Sequence, residues 1–496
     1  MCFHFNYLFI NKQRFLLAYL HHSHDGTLRH GTLLKWIFKC KATFNVYVPQ
    51  DLDKCPWVAV ICKNPHHHPA PAPLRTPPAI VAVFREILLD MNWQLADAMP
   101  HHIMLDSGFM QGLQQAVGWS SMQSSPALSE LHPSLANLDH ICHLIDTLQV
   151  EKYPEGTSFK GNGCVCNLMK NEVENGRCYV CCAESHILSN RSTFDLIICM
   201  SPAMSLQLLQ AVQFSIDTSF KHLCAWQEFK IESWDHQHMH SVVSACTFTT
   251  SQSAEAHHIL FRCIFEIAQQ DTNLPVKFHH IHKCGIEAVI ADGHKGQGLG
   301  LGRYCVELCQ GMEDFCSIEH DHWLKDLDPY DQLKRFYRLC VIHFLRNLVP
   351  LWNAVTPEVY GAMLSLSSFE AQSDLEMTLR TIQTGGRKAK AWLKDKIMGT
   401  KFALPALYFP KSLIPCDIWK ACPTTTNSNE QSHRNINCDG TSLTVLGGIM
   451  CTRDYDDRMD ASINMHAIYG IHPRDSATTH THHISQSISR QGKVVY

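Results

Sequence analysis

The sequence predicts a mixed α/β domain preceded by a small β-rich module and a helical connector. Three observations predict it. Between residues 211 and 291, three apolar, β-branched stretches, one long amphipathic stretch and a fourth apolar stretch follow one another, the pattern of a sheet with a helix laid across it. Six prolines fall between Pro65 and Pro78, a run that continues neither strand nor helix and so marks a boundary. The chain has 496 residues, more than one hydrophobic core accommodates at roughly 150 residues per domain.

Composition narrows the class. Apolar residues make up 45% and charged residues 18%, which excludes a wholly disordered chain, a collagen repeat and a coiled-coil rod. No stretch of about 18 uncharged apolar residues occurs, so no membrane partner is expected. Lys12 and Arg14 interrupt Met1–Leu20 where a secretion signal needs an unbroken apolar centre, and residues 1–26 read as an undefined leader. The net charge of −4 conceals an asymmetry: residues 1–80 hold nine Lys/Arg against three Asp, leaving 33 basic against 43 acidic in the remainder. A basic opening ahead of an acidic body suggests an anion-binding module. The 23 cysteines are odd in number and irregularly spaced, which predicts reduced thiols in a cytosolic or nuclear protein, not a disulfide framework.

Taken in order, residues 27–69 read as short strands at Thr32–Phe38, Thr43–Val48 and Trp57–Cys62, the last following an Asp51–Pro56 turn. Residues 70–79 are the Pro-rich linker. Residues 80–190 read as a helical connector, with helices over Ile80–Leu89 and Leu135–Leu148, Ser134 as an N-cap, and a polar break at Ser120–Ser125 that allows a helix-turn-helix. Residues 191–455 form the α/β domain. Its strands are expected at Ala211–Ile216, Trp226–Ile231, Ser241–Phe248 and Ile286–Ala291, and its helix at Ala254–Gln269 with Thr250 and Ser251 as caps and Glu255 in the first turn. A helical insertion spans about 303–420, Pro405–Pro415 is a connector, and the polar Thr424–Asn429 run leads into Glu430. Residues 456–496 lose periodicity and read as a loose tail, and no internal repeat is found.

The chemistry rests first on two aspartates. Asp217 terminates one strand and Asp292 another, so both carboxylates are expected on one rim of the sheet. Like charges at that separation are costly unless a divalent cation lies between them. Two such ions about 3.5–4 Å apart can clamp the attacking and leaving oxygens of a phosphodiester. A third carboxylate is needed: Glu430 at a helix start is the candidate and Asp439 its competitor. Cys340 and His343, three apart, share a helix face and are a candidate metal pair or helix brace, with Arg346 and Asn347 extending that face toward a phosphate. Gly296, Gly298, Gly300 and Gly302 follow a strand but lack the spacing of a phosphate loop, so a close backbone approach is the better account. Cys164, Cys166, Cys178 and Cys181, with His186, offer a second zinc knuckle, and His236, His238 and His240 would share one strand face.

Four segments in this order, FSIDTSF, VIADGHKGQGLG, RLCVIHF and TNSNEQSHR, resemble the Mutator-like element transposases over roughly residues 195–455. That resemblance implies a ribonuclease-H-like catalytic domain whose Asp-Asp-Glu triad is Asp217, Asp292 and Glu430, binding Mg²⁺ or Mn²⁺, with Cys340 and His343 as the family's CxxH inside a helical insertion. LTVLGGIMCTRDYDDR resembles the family's helix after the Glu. Residues 27–69 are similar to WRKY- and GCM-type zinc modules that precede such enzymes, which implies Zn²⁺ held by Cys40, Cys55, His66 and His68, with Cys62 and His67 as rivals. Their first two cysteines usually lie only a few residues apart; here Cys55 comes 15 positions after Cys40. The partners implied are double-stranded DNA at transposon ends and targets and further copies of the chain, and the location implied is nuclear. Two other readings fit the sequence: a catalytically inactive or domesticated DNA-binding regulator, and an RNA-processing nuclease on the same fold.

Overall fold

A computed structural model describes residues 3–7, 20–22, 28–30, 41, 43–49, 51, 53–55, 57–65, 76–119, 126–159, 163–174, 178–235, 240–370 and 374–470. The chain divides into two compact units, residues 1–92 with 99–146, and residues 93–98 with 147–496.

In the first unit, β1 (Phe3–Tyr7), β4 (Thr43–Val48) and β5 (Ala59–Lys63) form an antiparallel sheet in the order β1-β4-β5, and β2 (Leu20–His22) pairs with β3 (Leu28–His30). The expected strand at Thr32–Phe38 lies outside the described residues, as do the zinc-ligand candidates Cys40, His66, His67 and His68. Cys55 is exposed. Helices cover Pro78–Leu89 and Ser107–Val117. After a short turn of helix at Leu128–Leu131, the helix Leu138–Lys152, assigned to the first unit up to Asp146, is capped by Asn137, whose side-chain oxygen accepts from the backbone N–H of Asp139 and His140. Ser134, the expected cap, instead sits in a short 3₁₀ turn and hydrogen-bonds Thr76 and His132.

The second unit is mixed α/β, built on a seven-stranded sheet. Its strands are β6 (Val180–Ile187), β7 (Thr193–Cys199), β8 (Gln213–Ser219), β9 (Gln227–Asp235), β10 (His240–Thr249), β11 (Ala288–Ala291) and β12 (Tyr337–Leu339), in the order β12-β11-β8-β9-β10-β7-β6. β8 pairs antiparallel with β9 and parallel with β11, which in turn pairs parallel with β12. The expected boundary between residues 190 and 191 falls inside the β6–β7 hairpin, so the α/β unit begins earlier than its sequence pattern suggests.

Alternation along the strands sorts the two faces. Phe214, Ile216, Phe229, Ile231 and Ala245 point to one side, where they pack on Leu260, Phe261, Ile264 and Leu301 from the helices Ala254–Thr272 and Lys295–Leu308. Each such side chain contributes about 1.5–3 kcal/mol on burial. The first of these helices is capped by Ser253, not by Thr250 or Ser251. The opposite face is covered by helices Asn427–Asp439 and Val445–Tyr469, through Ile436, Val445 and Ile449. Two expectations need correction here. Residues 456–469 are helical, not a loose tail. The helical insertion begins after Leu339: Lys295–Leu308 is a crossover helix of the sheet, and β12 lies inside the range of about 303–420 expected as the helical insertion.

Candidate active site at the rim of the sheet

Asp217 is the fifth residue of β8 and 7% exposed. In the parallel register of β8 and β11, Ile216 stands opposite Ala291, so the next position on each strand sets Asp217 beside Asp292 on chains about 4.8 Å apart. Asp217 Oδ1 accepts from the Thr218 N–H at 2.9 Å, and Asp292 Oδ1 accepts from the His294 N–H at 3.0 Å. Burial raises the Asp217 carboxyl above the usual carboxylate range; His433 pulls it back, and the Asp292 charge raises it again.

Glu430 reaches the same rim by a different route. Arg338 on β12 donates to the carbonyls of Trp419 and Cys422 at 2.7 and 2.8 Å and lies over the Trp419 ring. The Val341 N–H donates to Thr424 O at 2.9 Å and the Thr426 N–H to Cys340 Sγ at 3.3 Å. These contacts fix Thr424–Thr426 beside the end of β12, so the Asn427–Asp439 helix starts over the aspartates with Glu430 in its first turn. Its carboxylate is already engaged. Arg346 grips both oxygens, and His343 Nε2 lies 3.1 Å from Oε1. Arg346 therefore holds Glu430 and is not a free phosphate contact, whereas Asn347 is exposed. Asp439, the competing carboxylate, lies at the far end of the helix, about 13 Å along its axis, and pairs with Arg458.

Cys340 precedes the Val341–Leu348 helix and His343 lies in its first turn. Burial pushes the Cys340 thiol up, but hydrogen bonds from His343 and Thr426 outweigh it and bring the thiol down to about 7. His343 rises in turn through that bond and through the charges of Cys340, Asp217 and Asp292. The pair thus faces the acidic rim and braces the approach to Glu430.

Four buried participants, Glu228, Lys230, Glu232 and His433, were missed in the sequence. β9 carries Glu228, Lys230 and Glu232 at alternate positions, all buried on the face that bears Asp217. Glu228 accepts from His222 Nδ1 and His433 Nδ1, each at 3.1 Å, and lies 3.4 Å from Lys230 Nζ. A strand with charge at i, i+2 and i+4 on one face was the available signal. His433 is 6% exposed, three residues beyond Glu430 and so on the same helix face, with Nε2 4.0 Å from Asp217 Oδ2. Further off, four of the eight residues of the Arg387–Lys394 helix are exposed cations: Arg387, Lys388, Lys390 and Lys394.

The glycine run borders the rim through Gln297, whose side-chain amide donates to Thr218 Oγ1 at 2.6 Å. Gly296 to Gly302 lie inside the crossover helix, where a Cβ on Gly300 would fall 2.6 Å from His257 Cβ. Cys181 Sγ donates to Met200 O, Cys178 is exposed, and His236 and His238 lie outside the described residues.

The donor set fits a divalent cation in part. Two neighbouring carboxylates, one buried with its charge disfavoured, and a buried imidazole nitrogen lacking any partner among the described residues are groups a cation would satisfy. No three Asp, Glu, His or Cys side chains among the described residues are placed to hold one metal ion. No helix among them is long and apolar enough to cross a membrane. Compared with known proteins, the chain matches no family model, no curated protein and no solved structure.

Proposed function

We propose that the chain is a transposon-derived DNA recombinase of the Mutator-like kind. Its mixed-sheet unit would act as a ribonuclease-H-like, DDE-type domain that cuts and joins DNA by divalent-metal-dependent phosphoryl transfer. The observation that carries this reading is the parallel register that sets Asp292 beside the buried Asp217, with Glu430 starting a helix over the same rim. A mixed sheet with a long helical insertion before the Glu430 helix is the architecture the resemblance implies.

Asp217 and Asp292 would hold Mg²⁺ or Mn²⁺, with Glu430 as the third carboxylate once it leaves Arg346. The ion supplies Lewis acidity toward a phosphodiester and makes a water or a DNA 3′-hydroxyl a better nucleophile. The chain's own residues do the rest. Thr218 and His294 backbone N–H groups orient the two aspartates, and Glu228 and Lys230 keep the surface beneath them rigid and charged. Arg346, released from Glu430, gains a phosphate as its natural partner. The exposed cations of Arg387–Lys394 suit the DNA backbone, which an acidic body otherwise repels.

The test is cleavage of a terminal-inverted-repeat duplex. Asp217→Asn and Asp292→Asn should each abolish Mg²⁺-dependent nicking, while circular dichroism and gel-shift affinity stay unchanged; wild-type activity in either variant sinks the assignment. One observation favours a second reading, a DNA-binding regulator without catalysis: the Glu430 carboxylate is fully occupied by Arg346 and His343. Such a protein would shift the duplex with or without metal and never cut it.

A further inference from the structure

We infer that the α/β unit holds a nucleobase-binding cavity beside the acidic rim, in which Glu232 takes the N–H edge of a guanine ring and Trp234 stacks against its face. The cavity is independent of metal-dependent cleavage: Glu232 is a buried carboxylate to which that reading gives no task.

A cavity of about 430 Å³ lies between the sheet and the segment that leads into the Asn427–Asp439 helix, within the size range of small-molecule sites. Strand register sets its floor. On the face bearing Asp217, Ser215 stands opposite Glu232 and Glu232 opposite Val243; two residues along β9, Trp234 stands opposite Ser241. The cavity extends from Glu232 to Gln213, which lies four residues or about 13 Å before Asp217 on β8, so it runs away from the rim. Val212, Ile290, Ala421 and Pro423 give it apolar walls. Glu232 is 2% exposed, and its Oε2 accepts from Ser241 Oγ at 2.9 Å, whereas Oε1 has no hydrogen-bond partner among the described residues. Lys230, its neighbour on the same strand face, pairs with Glu228 instead. A buried acceptor left unpaired is costly, so a donor from outside the chain is expected in this cavity.

The rest of the lining selects the donor. No lysine, arginine or histidine among the described residues lines the cavity, so a phosphate or carboxylate group would find no counter-charge there and would meet Glu232 as a like charge. A neutral or cationic ligand remains. Trp234 is 43% exposed and stands about 6–7 Å from Glu232 on the same strand face, so a flat ring lying on the indole presents its edge to the carboxylate. Ser428, in the first turn of the Asn427–Asp439 helix, adds a hydroxyl and a backbone N–H that has no partner within its helix. Guanine carries the matching edge: its ring N–H and neighbouring amino group are adjacent donors for the carboxylate, and the oxygen beside them is an acceptor for Ser428. Adenine and cytosine place a ring acceptor beside their amino group, which the carboxylate repels. The same ring is available from a free nucleoside or from a guanine turned out of a DNA strand.

The test is calorimetry on the full-length protein without divalent metal, with guanosine as probe and inosine, adenosine and benzamidine as comparators. Wild type should bind guanosine, with inosine about tenfold weaker for want of the amino group and adenosine weaker still. Glu232→Gln should lose about tenfold or more in guanosine affinity, and Trp234→Ala about tenfold, while Trp234→Phe keeps most of it. Circular dichroism establishes that each variant folds; should Glu232→Gln unfold, the two variants of the half-exposed Trp234 carry the test. A DNA hairpin with one unpaired guanine, set against the fully paired hairpin, separates the two sources. Tighter binding of the first that Glu232→Gln removes assigns the cavity to a DNA base, and guanosine bound with no difference between hairpins assigns it to a free nucleoside. No guanosine binding together with equal affinity for the two hairpins overturns the inference, as does guanosine binding that survives both Glu232→Gln and Trp234→Ala. Benzamidine bound more tightly than guanosine and lost in Glu232→Gln also overturns it, in favour of an amidinium ligand.

Discussion

Lys230 and Glu228 are fully buried side by side, with Lys230 Nζ over the Tyr455 ring and within 3.4 Å of Ser432 Oγ. Removing one partner of a buried pair leaves an uncompensated charge and typically costs about 3–5 kcal/mol. Lys230→Ala is therefore expected to lower the unfolding free energy measured in urea by that amount, whereas a surface truncation such as Lys388→Ala should change it little; equal losses would refute the account. A second consequence concerns pH. Burial lifts the Asp456 carboxyl to about 7 against the pull of Lys230 and of Tyr179, whose hydroxyl donates to it at 2.6 Å. The folded chain then keeps a proton that the unfolded chain releases near pH 4, so this stability is present at low pH and lost as pH rises from about 4 through 7. Glu228 works in the opposite sense and in another window: its contribution disappears only as pH falls below the ordinary carboxylate range. Asp456→Asn should flatten the fall in melting temperature between about pH 4 and 7, and an unchanged slope would contradict the assignment.

The glycines of Lys295–Leu308 illustrate how an element is selected by what it packs against. A Cβ on Gly300 would meet His257 Cβ at 2.6 Å and the His258 nitrogen at 2.8 Å, and one on Gly296 would meet Gln252 O at 2.1 Å. Gly300 lets this helix touch Ala254–Thr272, while Gly298 and Gly302 make room for the Phe402 ring and the Pro329 carbonyl. Gly300→Ala should destabilise the α/β unit by about 1–3 kcal/mol in thermal unfolding, although alanine is the better helix former. The strands around Asp217 and Asp292 were legible because β8, β10 and β11 are apolar runs bounded by turn residues. β12 was not, being three residues embedded in helical surroundings. Nor was the second half of Val445–Tyr469: Asp456 is a buried polar residue beside the charged Lys230 of the sheet, so the apolar period that signals a helix is broken. The same principle hid His433 and Glu228, whose partner is a polar network and not an apolar core. The exposed Arg387–Lys394 helix is polar for a different reason. If it contacts DNA phosphates, Lys388→Glu with Lys390→Glu should weaken binding uniformly across sequences and lower the salt slope by about one per lost contact. An unaltered slope would move the DNA surface elsewhere.

Sequence order and structural membership part company at residues 93–98. This segment interrupts the helical first unit, yet it belongs to the second. Trp93 Nε1 donates to Asp454 at 2.8 Å, Gln149 donates to Leu95 O at 2.8 Å, and Asp97 accepts from the Thr444 N–H at 2.7 Å and from its hydroxyl at 3.1 Å. Thr444 is itself the cap of the long helix, accepting from the Gly447 N–H at 3.2 Å, so Asp97 secures the cap of an element 347 residues away. That helix in turn carries Tyr455 and Asp456 against Lys230, beneath the acidic rim. Loss of a cap costs about 0.5–2 kcal/mol. Asp97→Ala should therefore raise hydrogen exchange at the first turns of Val445–Tyr469 and lower the melting temperature of the α/β unit, with Ser107–Val117 unaffected. Exchange raised in Ser107–Val117 instead would mean that the segment serves the first unit. Cutting the chain at the Pro-rich linker should leave this clasp intact, whereas cutting at residue 147 should remove it, and the shorter fragment should melt earlier by the same margin as Asp97→Ala or more.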